Sequence, residues 1–253
     1  MPTKTNVTGL ILSGGRGTRM NGLDKGLVLF RGRPLISHVI DRIKPQVNQL
    51  WVNCNRSLDD YLKLGCPLLT DTESDFQGPL RGILSIAGQF SAPTRCSIES
   101  KITPESAVEQ YCMVVPCDTP FLPLNLVSRL QHHIGDHSAA YASTTTQVQP
   151  LVLLLRPQVI HTIPKYLQDG GRSVMGWLAL VDAIAVSFSP TNTLSGTQSI
   201  GHSSTKSSAK SGKSGNTGTK HVTAGSTHQE DYLNHQVDAF YNINDLASLN
   251  KIS

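Results

Sequence analysis

Leu12-Ser13-Gly14-Gly15-Arg16-Gly17-Thr18-Arg19-Met20, followed at once by Gly22-Leu23-Asp24-Lys25-Gly26, is the stretch on which the reading of this chain turns. It comes directly after the apolar run Val7 to Leu12, which reads as a buried strand. A strand that ends in a glycine-rich loop with fixed cations can hold a nucleoside triphosphate. The missing side chains at Gly14, Gly15 and Gly17 let backbone N–H groups approach phosphate oxygens closely. Arg16, Arg19 and Lys25 can then neutralise the triphosphate charge. The loop is neither a Walker-type sequence, because Lys25 is followed by Gly26, nor G-x-G-x-x-G.

The chain has 253 residues, a length suited to one α/β domain or one domain with an appendage. Its formal charge of +4 is localised. Residues 190–229 contain Lys206, Lys210, Lys213 and Lys220 and no acid; without those four, basic and acidic residues balance at 18 each. A nucleic-acid role would therefore rest on that segment alone, which lacks interleaved aromatics and a dense basic stripe. The five cysteines form no C-x-x-C pair and are odd in number, which suits reduced thiols in a cytoplasmic protein better than disulfides or a zinc site. Val7–Leu12 is too short for a signal-peptide core or a membrane span.

Strand-like and helix-like stretches alternate along most of the chain. Strands are expected at Val7–Leu12, Leu50–Asn53, Pro67–Thr70, Tyr111–Val115, Ala139–Ser143, Leu151–Leu155, Ala183–Phe188 and Ala239–Asn242. Helices are expected at Pro34–Val47, Leu58–Leu64, Leu80–Ala87, Leu124–His133, Val159–Leu167, Val174–Leu180 and Asp245–Ile252. Such alternation argues for an α/β protein with a mostly parallel sheet covered by helices on both faces. Two stretches break the pattern. Residues 91–110 are polar and carry Pro93 and Pro104, the mark of a surface-loop insertion. Residues 190–235 are rich in Ser, Thr, Gly, Lys and Asn, with too few large apolar residues to offset the entropy of ordering. They read as a low-complexity, disordered insertion.

In an open α/β sheet, ligands collect at the carboxyl ends of the strands. There the sequence places the Gly14–Lys25 loop, Asn53 and Asn55, Asp71 after Leu69-Thr70, and Asp118 after Val114-Val115-Pro116-Cys117. Gly78-Pro79-Leu80-Arg81-Gly82 opens a helix, and Asn242 and Asn244 end the last expected strand. A lone acid at the exit of an apolar strand suits Mg²⁺ carried by a triphosphate, since magnesium takes one or two carboxylates plus phosphates and waters. The alternative, an N-cap aspartate, is weakened by Pro120 and Pro123. Lys25 and Arg19 are read as phosphate cations rather than solvated surface charges. Asp24 would shape the loop by binding a neighbouring N–H. Asn53 and Asp71 suit base or ribose recognition about as well as a turn role. Cys117, His132, His133, Trp51 and Trp177 take ordinary structural roles.

The string L-x-G-G-x-x-x-R-M-x-G-x-D-K-G, with Gly32-Arg33-Pro34-Leu35 after it, resembles the nucleotidyltransferases. Its Arg-Met-x-Gly-x-Asp-Lys-Gly portion is most similar to the molybdenum cofactor guanylyltransferases. Gly78-Pro79-Leu80-x-Gly82, Cys117-Asp118-Thr119-Pro120 and Asn242-Ile243-Asn244 extend the resemblance, which covers about residues 7–90, 111–189 and 236–252. Ser13 stands where that family often has Ala. The resemblance implies a single nucleotidyltransferase domain over 1–253, with the three-layer α/β/α Rossmann-like fold of that class. It implies GTP contacts at Leu12, Ser13, Gly14, Gly15, Lys25, Asn53, Asp71, Gly78 and Asp118. It also implies metal at Asp118, Mg²⁺ with Mn²⁺ as the alternative, and catalytic roles for Lys25, Arg19 and Asp118. Gln149, Arg172, Asn242 and Asn244 would face the acceptor. The implied partners are GTP, molybdenum-molybdopterin and molybdenum cofactor insertion proteins or chaperones, with no nucleic acid and no membrane. The expected reaction is GMP transfer from GTP to molybdenum-molybdopterin. Rival readings are transfer with another base or a sugar-phosphate acceptor, and a non-catalytic molybdopterin carrier.

Overall fold

The first strand, β1 (Thr5–Leu12), is buried from Val7 onward and has a parallel neighbour on each edge. On one side β4 (Gln49–Asn53) runs from Thr8↔Gln49 to Leu12↔Asn53. On the other β6 (Glu109–Pro116) runs from Thr5↔Glu109 to Leu12↔Pro116. Strands covered on both faces read as continuous apolar runs, which is why Gly9-Leu10-Ile11-Leu12 and Cys112-Met113-Val114-Val115 lack alternation. The computed structural model describes residues 5–14, 23–71, 78–90, 108–188 and 239–243.

The sheet has seven strands in the order β5-β4-β1-β6-β8-β7-β9, with β5 at Leu68–Leu69, β7 at Ala139–Ser143, β8 at Val148–Leu155 and β9 at Ala183–Ser187. Only β8 runs against its neighbours β6 and β7; the other pairings are parallel. A bulge between Tyr141 and Ala142 shifts the β7–β8 register, so that Ala142 faces Gln149. A separate two-strand hairpin, β2 (Leu29–Phe30) and β3 (Arg33–Pro34), turns through Arg31 and Gly32, both with positive φ, as a tight two-residue hairpin turn requires.

Helices cover both faces. Ile36, Val39, Ile40 and Ile43 of α1 (Leu35–Ile43) and Leu126, Val127, Leu130 and Ile134 of α4 (Leu126–Ile134) share one apolar cluster with Tyr61 of α2 (Leu58–Leu62). On the other face, α3 (Pro79–Ser85), α5 (Ile163–Gln168) and α6 (Val174–Leu178) contribute Leu80, Ile83, Ile163, Val174 and Trp177. The expected α/β/α layering of a mostly parallel sheet is thus observed.

Four expectations shift. Ala239–Asn242 is not a strand but a turn at 239–240 and irregular backbone to 243. Its aromatic character comes from Phe240, packed edge-to-face on Phe188 at 5.3 Å, rather than from ladder pairing. The stretch Val159–Leu167 divides into a 3₁₀ segment (Pro157–Thr162) and α5, because Pro164 has no N–H to continue one α-helical ladder. The β2–β3 hairpin is an unforeseen element. Strand β6 starts at Glu109, inside the expected 91–110 loop, since Arg156 fastens the Glu109 carboxylate at the strand's origin. The rest of that loop, the 190–235 insertion and the Asp245–Ile252 helix lie outside the described residues.

Leu130 is fully buried between α4 and the sheet. Leu130→Ala is expected to cost about 2–5 kcal/mol in urea unfolding, from lost transfer energy plus the cavity left behind.

Candidate active site

The strand register assembles the site. Leu12, Asn53 and Pro116 end β1, β4 and β6 at one level. Backbone bonds carry the ladder one residue further, from Ser13 N to Asn53 O (2.8 Å), Cys54 N to Leu69 O (3.0 Å) and Cys117 N to Leu12 O (3.1 Å). Two polar clusters grow from this rigid edge.

In the first, the Lys25 ammonium donates to Asp118 Oδ2. Lys25 opens a short 3₁₀ turn, Lys25–Leu27, immediately after Asp24. The Asp24 carboxylate caps no N–H of that turn, contrary to the role read for it in sequence. Instead its Oδ1 accepts from the Tyr61 hydroxyl at 2.5 Å, and its Oδ2 faces Arg56 Nε at 3.4 Å. Tyr61 also meets the Ser13 hydroxyl. Asp118 is 9 % exposed, and its Oδ1 is buried with no hydrogen-bond partner among the described residues. A buried carboxylate oxygen left without a donor is costly, and a cation satisfies it. The donor set fits magnesium in a nucleotide complex, which needs few protein oxygens. Asn242 is brought to the same place by Ile243 N, which donates to Asp118 O at 3.0 Å; Asn242 Oδ1 is likewise buried and without a hydrogen-bond partner among the described residues.

In the second cluster, Asp71 is clasped by two amides. Asn53 Nδ2 donates to its Oδ1 at 2.9 Å and Asn55 Nδ2 to its Oδ2 at 2.8 Å, while Asp71 N donates to Asn55 Oδ1 at 2.8 Å. Asn53 Nδ2 also reaches Ser85 Oγ at 3.1 Å. Gly14 lies against this cluster: a Cβ there would stand 3.5 Å from both Asn53 Oδ1 and Asn55 Nδ2. Gly78 caps α3 with φ +84°, a conformation that favours glycine, and Gly82 in the same helix touches Asn53.

The structure therefore gathers Leu12, Ser13, Gly14, Lys25, Asn53, Asp71 and Asp118 at one sheet edge, with Gly78 at the adjoining helix start. Gln149, 8 % exposed, lies on β8, two strands along from β1, at the end where reversed β8 begins beside the end of β7. Arg172 donates to the carbonyls of Leu167 (2.8 Å) and Gly171 (2.6 Å), closing the α5 terminus. Gly15, Arg19 and Asn244 lie outside the described residues. Tyr61, Arg56 and Ser85 were not anticipated: each sits in a short helix or turn whose pattern speaks only of packing or solvent. A cleft lined by Lys44, Gln49, Gly65 and Pro67 opens at the opposite strand ends, away from this chemistry.

A glycine loop at a strand end, a lysine on a strand-exit aspartate and a clasped second carboxylate are features of a nucleotide-handling enzyme of the nucleotidyltransferase class. The sequence model of the MobA-like NTP transferase domain matches residues 9–183. The chain is 36% identical over 199 residues to a molybdenum cofactor guanylyltransferase of Ralstonia nicotianae, covering 74% of this chain and 89% of that one. It is 39% identical over 176 residues to the enzyme of that name from Shewanella putrefaciens, covering 69% and 82%. The protein belongs to the MobA-like NTP transferase family. Its fold is similar to a molybdopterin-guanine dinucleotide biosynthesis protein A from Archaeoglobus fulgidus (TM-score 0.60, 16% identity, 97% and 96% coverage). It is also similar to a manganese complex of Rv0371C from Mycobacterium tuberculosis (TM-score 0.51, 12% identity, 74% and 90% coverage). No helix among the described residues is long and apolar enough to cross a membrane.

Burial pushes the Cys117 thiol up to about 12, with the Asp118 carboxylate adding to it, and burial with Asp24 pushes Cys54 up to about 11. Both are raised above the ordinary 9.0, so their contribution to stability is whole below pH 9 and is lost as pH rises toward 11–12. Urea midpoints are expected to hold up to pH 9 and fall above it. At pH 8 a thiol reagent should label neither cysteine in the folded protein, as peptide mapping will read.

Proposed function

We propose that this protein transfers GMP from GTP to the terminal phosphate of molybdenum-molybdopterin, yielding the guanine dinucleotide cofactor and pyrophosphate. The observation that carries the reading is the meeting of Lys25 with Asp118 on the strand edge that also holds Gly14 after β1 and, two strands from β1, the clasped Asp71. The guanylyltransferase relatives support the choice of base and acceptor.

An acceptor phosphate oxygen attacks the α-phosphorus of GTP. A new P–O bond forms as the α–β bridging bond breaks, and pyrophosphate leaves with the electron pair. The acceptor is already anionic, so no strong base is needed; alignment and charge neutralisation carry the catalysis. Lys25 passes from Asp118 to the phosphates and stabilises charge on the leaving group. Asp118, with its unsatisfied Oδ1, would hold a divalent cation, Mg²⁺ or Mn²⁺, which would supply Lewis-acid neutralisation of the triphosphate. Leu12, Ser13, Gly14 and Gly15 frame the phosphates, Arg19 adds charge, and Gly78 lies where the α3 backbone begins. Asp71 accepts from guanine N1–H and N2–H₂ through the two oxygens that Asn53 and Asn55 orient. Gln149, Arg172, Asn242 and Asn244 serve the acceptor.

Pyrophosphate release should occur with GTP plus molybdopterin and Mg²⁺, and drop sharply with CTP or without the pterin. Equal turnover with CTP would establish the other-base reading; pterin binding without pyrophosphate release would establish the carrier. Lys25→Ala should lower kcat by about 10²–10³-fold, with a far smaller change in urea midpoint. Unchanged turnover would remove Lys25 from the mechanism.

A further inference from the structure

Tyr61 is fully buried in the α1/α4 face of the core, and its hydroxyl bonds outside that apolar cluster, to Ser13 and Asp24. Both oxygens it meets belong to the ends of the glycine-rich loop: Ser13, where the loop leaves β1, and Asp24, the residue before Lys25. A ring needed only for packing would be served by phenylalanine, and a buried phenol that merely needs a partner can use any nearby backbone carbonyl. A tyrosine has one proton to give. It goes to the Asp24 carboxylate, so the Ser13 hydroxyl donates to Tyr61, and the three groups form one directed chain from loop entry to loop exit.

The surroundings are shaped to admit that hydroxyl. A Cβ at Gly26 would fall 2.5 Å from Tyr61 Oη and 2.4 Å from Ser13 Oγ. Gly26 does not have positive φ, so its lack of a side chain answers to space rather than to backbone conformation. Asp24 is held from its other side by Arg56, whose guanidinium also donates to Leu23 O at 3.2 Å. Leu27 N donates to Asp24 O at 3.0 Å, so the turn that carries Lys25 hangs directly from the clamped aspartate. Burial, together with the Asp24 carboxylate, drives the Tyr61 ionisation far upward, which keeps the phenol a donor throughout the working pH range.

We propose that Tyr61 is a positioning residue: its hydroxyl braces both roots of the phosphate loop against the core and thereby sets where the Lys25 ammonium stands. This rests on the nucleotidyltransferase reading of Lys25. Tyr61 is fully buried and acts through Asp24 and Ser13. A lysine displaced by about an ångström from its productive position costs on the order of 10²-fold in rate.

The test compares full-length wild type with Tyr61→Phe, Gly26→Ala, the double variant and Leu130→Ala. Three quantities are read: kcat and KM for GTP by pyrophosphate release, amide exchange at Leu27 and Val28, and the urea midpoint. Tyr61→Phe keeps the ring and should lower kcat about 10²-fold while KM changes less than about threefold, the signature of lost transition-state alignment. Its Leu27 and Val28 amides should exchange about tenfold faster, with the α4 amides unchanged. Gly26→Ala should reproduce both effects by pushing the hydroxyl aside. The double variant should be no worse than the more severe single, because the added methyl then meets no phenol oxygen and Ser13 Oγ, no longer held by Tyr61, can turn aside. Leu130→Ala should lower the midpoint but leave kcat, KM and the Leu27 and Val28 exchange ratio at wild-type values. Wild-type kinetics and exchange in Tyr61→Phe, or multiplicative effects in the double variant, overturn the brace. Absence of pyrophosphate release from GTP by wild type overturns the guanylyl reading instead; the exchange ratio at Leu27 and Val28 then decides the brace by itself.

Discussion

The in-register pairing of β1 with its two parallel neighbours is the constraint on which the rest of the structure depends. Leu12 faces Asn53 on one side and Pro116 on the other, and Asn53 faces Leu69 beyond. A slip of one residue would turn Leu10 and Ile11 to the opposite faces, and each belongs to a different apolar cluster. The cost of that inversion locks the register, and the register puts Ser13, Cys54, Thr70 and Cys117 at a common height. Residues with no sequence proximity (Lys25 and Asp118, Asn53 and Asp71) then meet with little freedom left to the backbone beneath them. Placing a site on rigid strand ends is how a fold limits the orientation cost of catalysis.

The two polar clusters on that edge are satisfied to different degrees. Asp71 has an amide on each oxygen and its own N–H on Asn55, an arrangement complete without ligand. Asp118 is paired on one oxygen and unsatisfied on the other. A completed cluster gives a carboxylate of defined orientation, suited to reading a base. An incomplete one stores an unmet electrostatic demand, suited to drawing in a cation together with its phosphates. The Lys25–Asp118 pair is also an arrangement that the proposed ligand would exchange: the carboxylate would gain a divalent ion and the ammonium phosphate.

The strand pattern and most of the site edge were legible in sequence because buried parallel strands write themselves as unbroken apolar runs, and the loop after the first carries an ordered set of glycines and charges. Asp71 and Asp118 stood out because each follows such a run. Less could be read where tertiary contact overrides local pattern. Ala239–Asn242 has the composition of a strand, yet Phe240 is buried by stacking on Phe188. The β2–β3 hairpin depends on an Arg31-Gly32 turn with positive φ at both residues, which the arginine does not advertise. Nothing in the Gly170-Gly171-Arg172 stretch announces that Arg172 Nη1 donates to the carbonyls that close α5. Tyr61 was hidden most thoroughly: the lone aromatic in Leu58-Asp59-Asp60-Tyr61-Leu62 announces a core residue, and nothing local says that its hydroxyl has a separate task.

The glycines around the site show why a glycine-rich motif carries two kinds of information. Gly78 has φ +84° and open space around it, so a side chain there is opposed by backbone conformation alone. Gly26 and Gly82 have no positive φ, yet a Cβ at Gly26 would collide with Ser13 and Tyr61, and one at Gly82 with Asn53 Oδ1 at 2.8 Å and Leu12 Cδ2 at 2.8 Å. These two are imprints of neighbours: one records the tyrosine hydroxyl, the other the amide that orients Asp71. The glycine of Asp-Lys-Gly and the second glycine of G-P-L-x-G thus belong to the same design as the polar residues they make room for. Ser13 extends this logic, since its hydroxyl fills the space left by Gly26 and links the strand end to Tyr61. In the proposed reaction the charged members of the motif would hold the ligand, and the missing side chains let the supporting groups come close enough to hold the charged members.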